Sequence, residues 1–351
     1  MSRPATVPAA VPVTVVTGFL GAGKTTLLNR LLADGALEGA ALVINEFGSV
    51  DVDGMLVESA DEDLVSVSGG CLCCTVRGEL ALTLERLLAR DPVPSRIVIE
   101  TTGIADPAPI LQAILGHPDL APRLRLAGVV TLVDVTEAPA TLAAQPEALR
   151  QIVPADRVLL TKTDLVAPDR LTAARAAVES VATAPVLAAC DVDPADLLAD
   201  IAARIEMPGA ARQHHHHNHH HRGTPDRHGS VEAAHLVRTA PLDPSALETL
   251  VDLLLAQHGA TLLRLKGFVR TSDEPARPLV LQAVGRTLSP PERRDGWPSG
   301  MAPATRLVAI TRDAAPGTVQ RLFDVFADAP AIDTPDAAAL ADNPLAVPGL
   351  R

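Results

Sequence analysis

Val11-Pro-Val-Thr-Val-Val-Thr17 leads directly into Gly18-Phe-Leu-Gly-Ala-Gly23-Lys24-Thr25, and that join decides the fold. The first stretch is β-branched and apolar on both faces, as a strand buried inside a parallel sheet must be. The second meets the pattern Gly-x4-Gly-Lys-Ser/Thr in its required place, after a strand and opening a helix over Thr25–Ala33. Gly18, Gly21 and Gly23, with Ala22 between the last two, let the backbone curl until successive amides face one phosphate. The helix start at Thr25 and Thr26 adds its partial positive charge. Lys24 is then placed for the β and γ oxygens, and the Thr25 hydroxyl for the Mg²⁺ shell. The stretch predicts a nucleoside triphosphate site.

Downstream, apolar runs at Ala41–Ile44, Arg96–Glu100, Ala127–Val133 and Arg157–Leu160 alternate with helix-like Glu79–Arg90, Pro107–Leu115 and Arg170–Ser180. That alternation predicts an α/β P-loop domain with a mostly parallel sheet over residues 11–207, preceded by a disordered N-terminus at 1–10. Residues 208–232 lack apolar periodicity and read as a His-rich linker. Strands grouped between two helices then predict a smaller α+β C-terminal domain at 233–330, with a flexible tail at 331–351. A length of 351 residues suits two domains.

Composition removes several classes of function. The net charge is −12, aromatic residues make up 2% and Tyr is absent, so the basic track and stacking rings of a nucleic-acid groove are missing. No apolar run approaches the ~20 residues that a membrane helix needs. Pro8 and Pro12 interrupt the apolar N-terminal stretch, which carries no cleavage-site pattern, so a cytoplasmic protein is expected.

The chain has 27 Arg but three Lys, so each Lys marks a place where a compact ammonium is needed. Lys24 is in the phosphate loop. Lys162 stands in Thr161-Lys-Thr-Asp164, just past a buried strand. A carboxylate at Asp164 can accept from both N1 and N2 of guanine, donors that adenine does not offer as a pair, while the Lys162 stem lies over the ring. The pattern resembles the Asn/Thr-Lys-x-Asp element of GTP-binding proteins, and with the phosphate loop it favours GTP over ATP. Glu100 ends a strand and precedes Thr101-Thr102-Gly103, which suits it to hold Mg²⁺ through water while the Gly103 amide approaches the γ-phosphate. Lys24, Thr25 and Glu100 are thus the candidate catalytic residues, and no residue stands out as activator of the attacking water.

Three of the four cysteines, Cys71, Cys73 and Cys74, fall on one Gly-rich loop. Soft thiolates at this spacing favour Zn²⁺ and related ions, in a site open to a further ligand rather than a closed structural one. Cys190 stands alone and is expected in the core.

Five motifs now stand in order: Thr17–Asn29, Asn45-Glu-Phe-Gly48, Gly70-Cys-Leu-Cys-Cys74, Glu100–Pro107 and Thr161–Asp164. The order resembles that of the CobW-type metallochaperone GTPases, and Arg264-Leu-Lys266-Gly267 is similar to the start of that family's C-terminal domain. The resemblance implies a GTPase of the SIMIBI class that takes GTP with Mg²⁺ and binds Zn²⁺ or Co²⁺ as cargo at the Cys-x-Cys-Cys loop. It also implies delivery to a client metalloenzyme or to the cobalt-insertion machinery of cobalamin synthesis. The family commonly carries an acidic residue directly after Asn-Glu-Phe-Gly. Here that position is Ser49, with Asp51 and Asp53 nearby, so the non-thiol ligand stays open.

His214, His215, His216, His217, His219, His220 and His221 form an accessory metal-capturing tract in the linker. Two other functions remain in play at this point. One is a nickel-insertion GTPase for urease or hydrogenase maturation, against which the thiol loop and second domain weigh. The other is a non-catalytic metal buffer or sensor, against which the intact phosphate loop, Glu100 and Asp164 weigh.

Overall fold

The computed structural model describes residues 10–46, 64–68, 75–199, 231–298 and 300–327. The thiol loop, Ser49, Asp51, Asp53, the His tract, residues 1–9 and the tail from 328 lie outside the described residues.

The first domain is a seven-stranded sheet flanked by helices. Its elements run β1 (Val11–Gly18), α1 (Lys24–Ala33), β2 (Ala40–Glu46), β3 (Leu64–Ser68), α2 (Thr75–Leu88), β4 (Arg96–Glu100) and α3 (Ala108–Gly116). They continue with β5 (Leu124–Asp134), α4 (Ala138–Ala144), α5 (Pro146–Ile152), β6 (Arg157–Thr161), α6 (Pro168–Glu179), β7 (Val186–Ala188) and α7 (Pro194–Leu198). The strand order is β3-β2-β4-β1-β5-β6-β7, and among the described residues every pairing within this sheet is parallel. β1 is central and almost wholly buried, which explains its unbroken apolar run. Leu27, Leu28 and Leu31 of α1 cover one face, and Leu84 and Leu87 of α2 with Leu111 and Ile114 of α3 cover the other.

Two seven-residue helices, α4 and α5, were not legible as periodic segments. Each opens on a Pro in its first turn and is too short to show a repeat of 3.6.

The second domain contains β8 (Val231–Arg238), α8 (Pro244–His258), β9 (Leu262–Val269), β10 (Leu279–Val284), β11 (Thr287–Leu288), β12 (Glu292–Arg293), β13 (Thr305–Arg312) and α9 (Thr318–Ala327). The strands pair antiparallel in the order β11-β10-β9-β13-β8, with β12 also on β10. β8 starts inside the stretch read as linker, because Val231 and Glu232 pair with Arg312 and Thr311. Asp243 caps α8 by accepting from Ser245 N.

Strand alternation divides this sheet cleanly. Leu265, Leu281, Leu307 and Ala309 face α8 and α9, packing with Leu250, Leu254 and Phe323. Arg264, Lys266, Gln282, Val308 and Ile310 occupy the alternate positions and face the first domain. Val308 and Ile310 pack on Val153, just past α5. Lys266 Nζ lies 2.6 Å from Asp156 Oδ1, and Arg264 Nη2 lies 3.5 Å from Asp156 Oδ2 and 3.1 Å from Gln282 Oε1. Asp156 and Arg264 have fully buried side chains. The third Lys therefore sits in a buried ion cluster that joins the two domains.

Candidate functional site

Parallel strands bring their C-terminal ends to one edge, and that is where this chain places its polar motifs. β1 ends in the phosphate loop. Gly23 caps α1 with φ of 92°, a left-handed conformation that a side chain would strain. Lys24 is the first residue of α1, and its Nζ donates to Gly18 O at 3.0 Å and Phe19 O at 3.3 Å, which folds the ammonium over the loop. Thr25 and Thr26 follow in the first turn, with Thr26 exposed. Leu20 projects from the crest of the loop into solvent.

β4 lies beside β1, with Glu100 in register with Val16. Glu100 is buried, and Thr101 N donates to Val16 O at 3.0 Å. The hydroxyls of Thr17 and Thr101 share a 2.7 Å hydrogen bond that pins the two strand ends together. A Cβ on Gly103 would fall 2.8 Å from the Leu20 backbone, so only glycine permits this close approach to the phosphate loop. The Thr25 hydroxyl and the Glu100 carboxylate are hard oxygen donors on adjacent elements, chemistry that fits Mg²⁺.

β6 is two strands from β1 and delivers the base motif. Thr161 Oγ1 donates to Ala22 O at 2.9 Å, so a side chain at the head of this motif braces the phosphate loop directly. Lys162 adopts φ of 57° and ψ of 32°, sparsely used by residues other than glycine and held here by its surroundings. Its Nζ meets Asp134 Oδ2 at 2.6 Å. Burial opposes ionisation of Asp134, but hydrogen bonds from Lys162 and Thr136 outweigh it and hold the carboxyl below its ordinary range. Asp164 follows in the short 3₁₀ turn Thr163–Leu165 with an exposed carboxylate.

Sequence reading missed Asp134 and the turn Ala189–Asp191. Asp134 carried the same signal as Glu100, an acidic residue ending a buried strand. The turn after β7 adjoins the base motif, with Cys190 Sγ 3.9 Å from Thr163 Oγ1. Arg30 of α1 holds it by donating to Ala189 O at 2.9 Å and Val192 O at 3.2 Å. The expectation of a core Cys190 is therefore corrected: the thiol is exposed, because β7 is short and its turn lies at the sheet edge. Glu85, His117 and Asp119 place ligand atoms within 4.8 Å of one another, the one such group among the described residues. It lies apart from the strand-end row, and Asp119 is exposed.

A phosphate loop on the central strand, an acidic strand end beside it and a Lys-x-Asp turn two strands away define a P-loop domain of the GTPase type. Residues 12–187 match the CobW/HypB/UreG nucleotide-binding domain, and residues 231–327 match the cobalamin synthesis protein cobW C-terminal domain. The chain belongs to the CobW family. It is 33% identical to the zinc chaperone CobW of Sinorhizobium sp, over 86% of this chain and 92% of that protein. It is also 33% identical to the zinc chaperone YjiA of Escherichia coli strain K12, over 80% and 87%. The crystal structure of Zn(II)-bound YjiA GTPase from E. coli aligns with a TM-score of 0.62 at 26% identity, covering 90% of this chain and 99% of that one. No helix among the described residues is long and apolar enough to cross a membrane.

Proposed function

We propose that this chain is a GTP-hydrolysing zinc chaperone, with Cys71, Cys73 and Cys74 holding the cargo ion and GTP controlling its retention. The bond from Thr161 to Ala22 supports this reading most directly, since it sets the Lys162–Asp164 turn beside the phosphate loop, where the acceptor-only carboxylate of Asp164 suits guanine. Lys24, Thr25, Thr26 and the loop from Gly18 to Gly23 take the phosphates, and the Gly103 amide takes the γ-phosphate. Thr25 and Glu100 are suited to Mg²⁺, which would neutralise phosphate charge when bound. Lys162 and Asp164 take the base. Zinc is favoured over cobalt by the names of the relatives, while the thiolate donors suit either ion. The tract His214–His221 adds capture sites in the linker between the two domains.

The direct experiment measures metal content and GTP turnover on one sample, purified without an affinity tag or added metal. Bound zinc with GTP hydrolysis is expected, and turnover without metal retention would remove the chaperone reading. Lys24→Ala should lower kcat by about 10²–10³-fold while the fold is kept, because it removes a charge aimed at the transferring phosphoryl group. Turnover at the parent rate would show that Lys24 does not act on the phosphates.

A further inference from the structure

The loop after β4 is held from two sides. On one side Gly103 lies against the Leu20 backbone of the phosphate loop. On the other, Gln151 near the end of α5 donates through Nε2 to Gly103 O at 3.2 Å and Ala105 O at 3.0 Å. Gln151 is buried, and its backbone carbonyl accepts from Thr131 Oγ1 at 2.6 Å, which fixes this helix end to β5. Beyond Gln151 the chain passes straight into the domain interface. Val153 packs on Val308 and Ile310, and Asp156 binds Lys266 and Arg264. Six residues, 151–156, thus touch the loop from Gly103 to Ala105 at one end and the C-terminal sheet at the other.

The packing here has room to change. A cavity of about 170 Å³ is lined by Leu20, Gln151, Ile152 and neighbouring residues. Protein interiors are otherwise close-packed and transmit displacement rather than absorb it. Gln151 Oε1 and Thr102 Oγ1 are both buried without hydrogen-bond partners, so the amide has an acceptor in reserve for a second arrangement.

We infer that Gln151 is a positioning residue for GTP hydrolysis, and that the segment 151–156 carries the state of the γ-phosphate loop to the C-terminal domain. Gln151 sets where the Gly103 amide stands. Displacement of that loop moves the end of α5, and Val153 and Asp156 pass the movement to β13 and β9. The inference rests on the proposed reading of Gly103 as a γ-phosphate contact.

The test is hydrogen exchange on the full chain with Mg–GDP and then with Mg and a non-hydrolysable GTP analogue, joined to GTPase kinetics on three variants. In the parent, exchange should change both at 101–105 and at 308–310 of β13. Gln151→Met should lower kcat about tenfold, the loss of two hydrogen bonds, with GDP affinity unchanged. It should also abolish the response of β13, and Gln151→Glu should not restore either property because it lacks the donor. Lys266→Met should leave kcat unchanged and weaken the response of β13. No response at 101–105 in the parent would overturn the γ-phosphate reading and this inference with it. A response there without one at β13, or an unchanged kcat in Gln151→Met, would overturn this inference alone. Should Gln151→Met not fold, Gln151→Glu supplies the kcat readout, where an unchanged rate would overturn the inference, and the parent with Lys266→Met supplies the response of β13.

Discussion

Asp164→Ala should weaken GTP by about 3–6 kcal/mol, two to four decades in Kd, while ATP binding barely changes. In the proposed reading the carboxylate accepts two hydrogen bonds from guanine, and a bond to a charged group contributes about 1.5–3 kcal/mol. Geometry supports the assignment: Asp164 follows β6 by three residues, and the motif is braced to the phosphate loop through Thr161. Lys162 is held by Asp134, so its stem is fixed beside the same position. The measurement is competition of GTP and ATP against a fluorescent guanine nucleotide for parent and variant. Equal competition by the two nucleotides in the parent would refute the guanine site.

Asp156→Ala should destabilise the folded chain by about 3–5 kcal/mol, because it strands the fully buried Arg264 and removes the partner of the partly buried Lys266. Arg264 is fully buried and already has Nε and Nη1 without hydrogen-bond partners, so Asp156 and Gln282 supply the acceptors it depends on. Val129 N also donates to Asp156 Oδ2 at 2.9 Å. Burial opposes the charge on Asp156, but Lys266 and Arg264 outweigh it and hold the carboxyl below its ordinary value. The sign of the pH dependence follows. A depressed carboxyl stabilises the fold fully above its unfolded pKa of about 3.9, and that contribution disappears as pH falls through the folded value. Urea unfolding at neutral pH and across the acid limb reads both effects. Asp156→Asn should flatten part of the acid limb. A loss below about 1 kcal/mol in Asp156→Ala, the size of an exposed pair, would mean the interface does not rely on this cluster.

The strand-end placement of Gly18–Thr25, Glu100 and Asp164 was legible because its signals are local. Gly18–Thr25 needs one strand, one turn and one helix start, and Glu100 and Asp164 each sit at the end of an apolar run. Each of those constraints is written within ten residues of chain. The interface was not legible. Asp156, Lys266 and Arg264 come from distant segments, and a lone Asp before a strand carries no periodicity or spacing that points to a partner 110 residues away. Gln151 was hidden for a related reason, since Pro146 and the short length of α5 blurred the helix on which it stands. The C-terminal sheet showed its strands through apolar content, yet the alternation that puts charge on its inner face had meaning only once that face had something to cover.

The central claim is that nucleotide state governs metal retention at Cys71, Cys73 and Cys74. Cys71, Cys73 and Cys74 fall in sequence between β3 and α2, within the stretch from β2 to β4 that responds to the γ-phosphate in P-loop GTPases. Linkage then requires metal to tighten GTP by the factor with which GTP tightens metal. The decisive measurement is zinc affinity with a non-hydrolysable GTP analogue and with GDP, on protein lacking His214–His221 so that the tract does not mask the thiol site. The account predicts at least a tenfold difference, about 1.4 kcal/mol, that vanishes when Cys71, Cys73 and Cys74 are all replaced by Ser. Equal affinities in the two nucleotide states would contradict it.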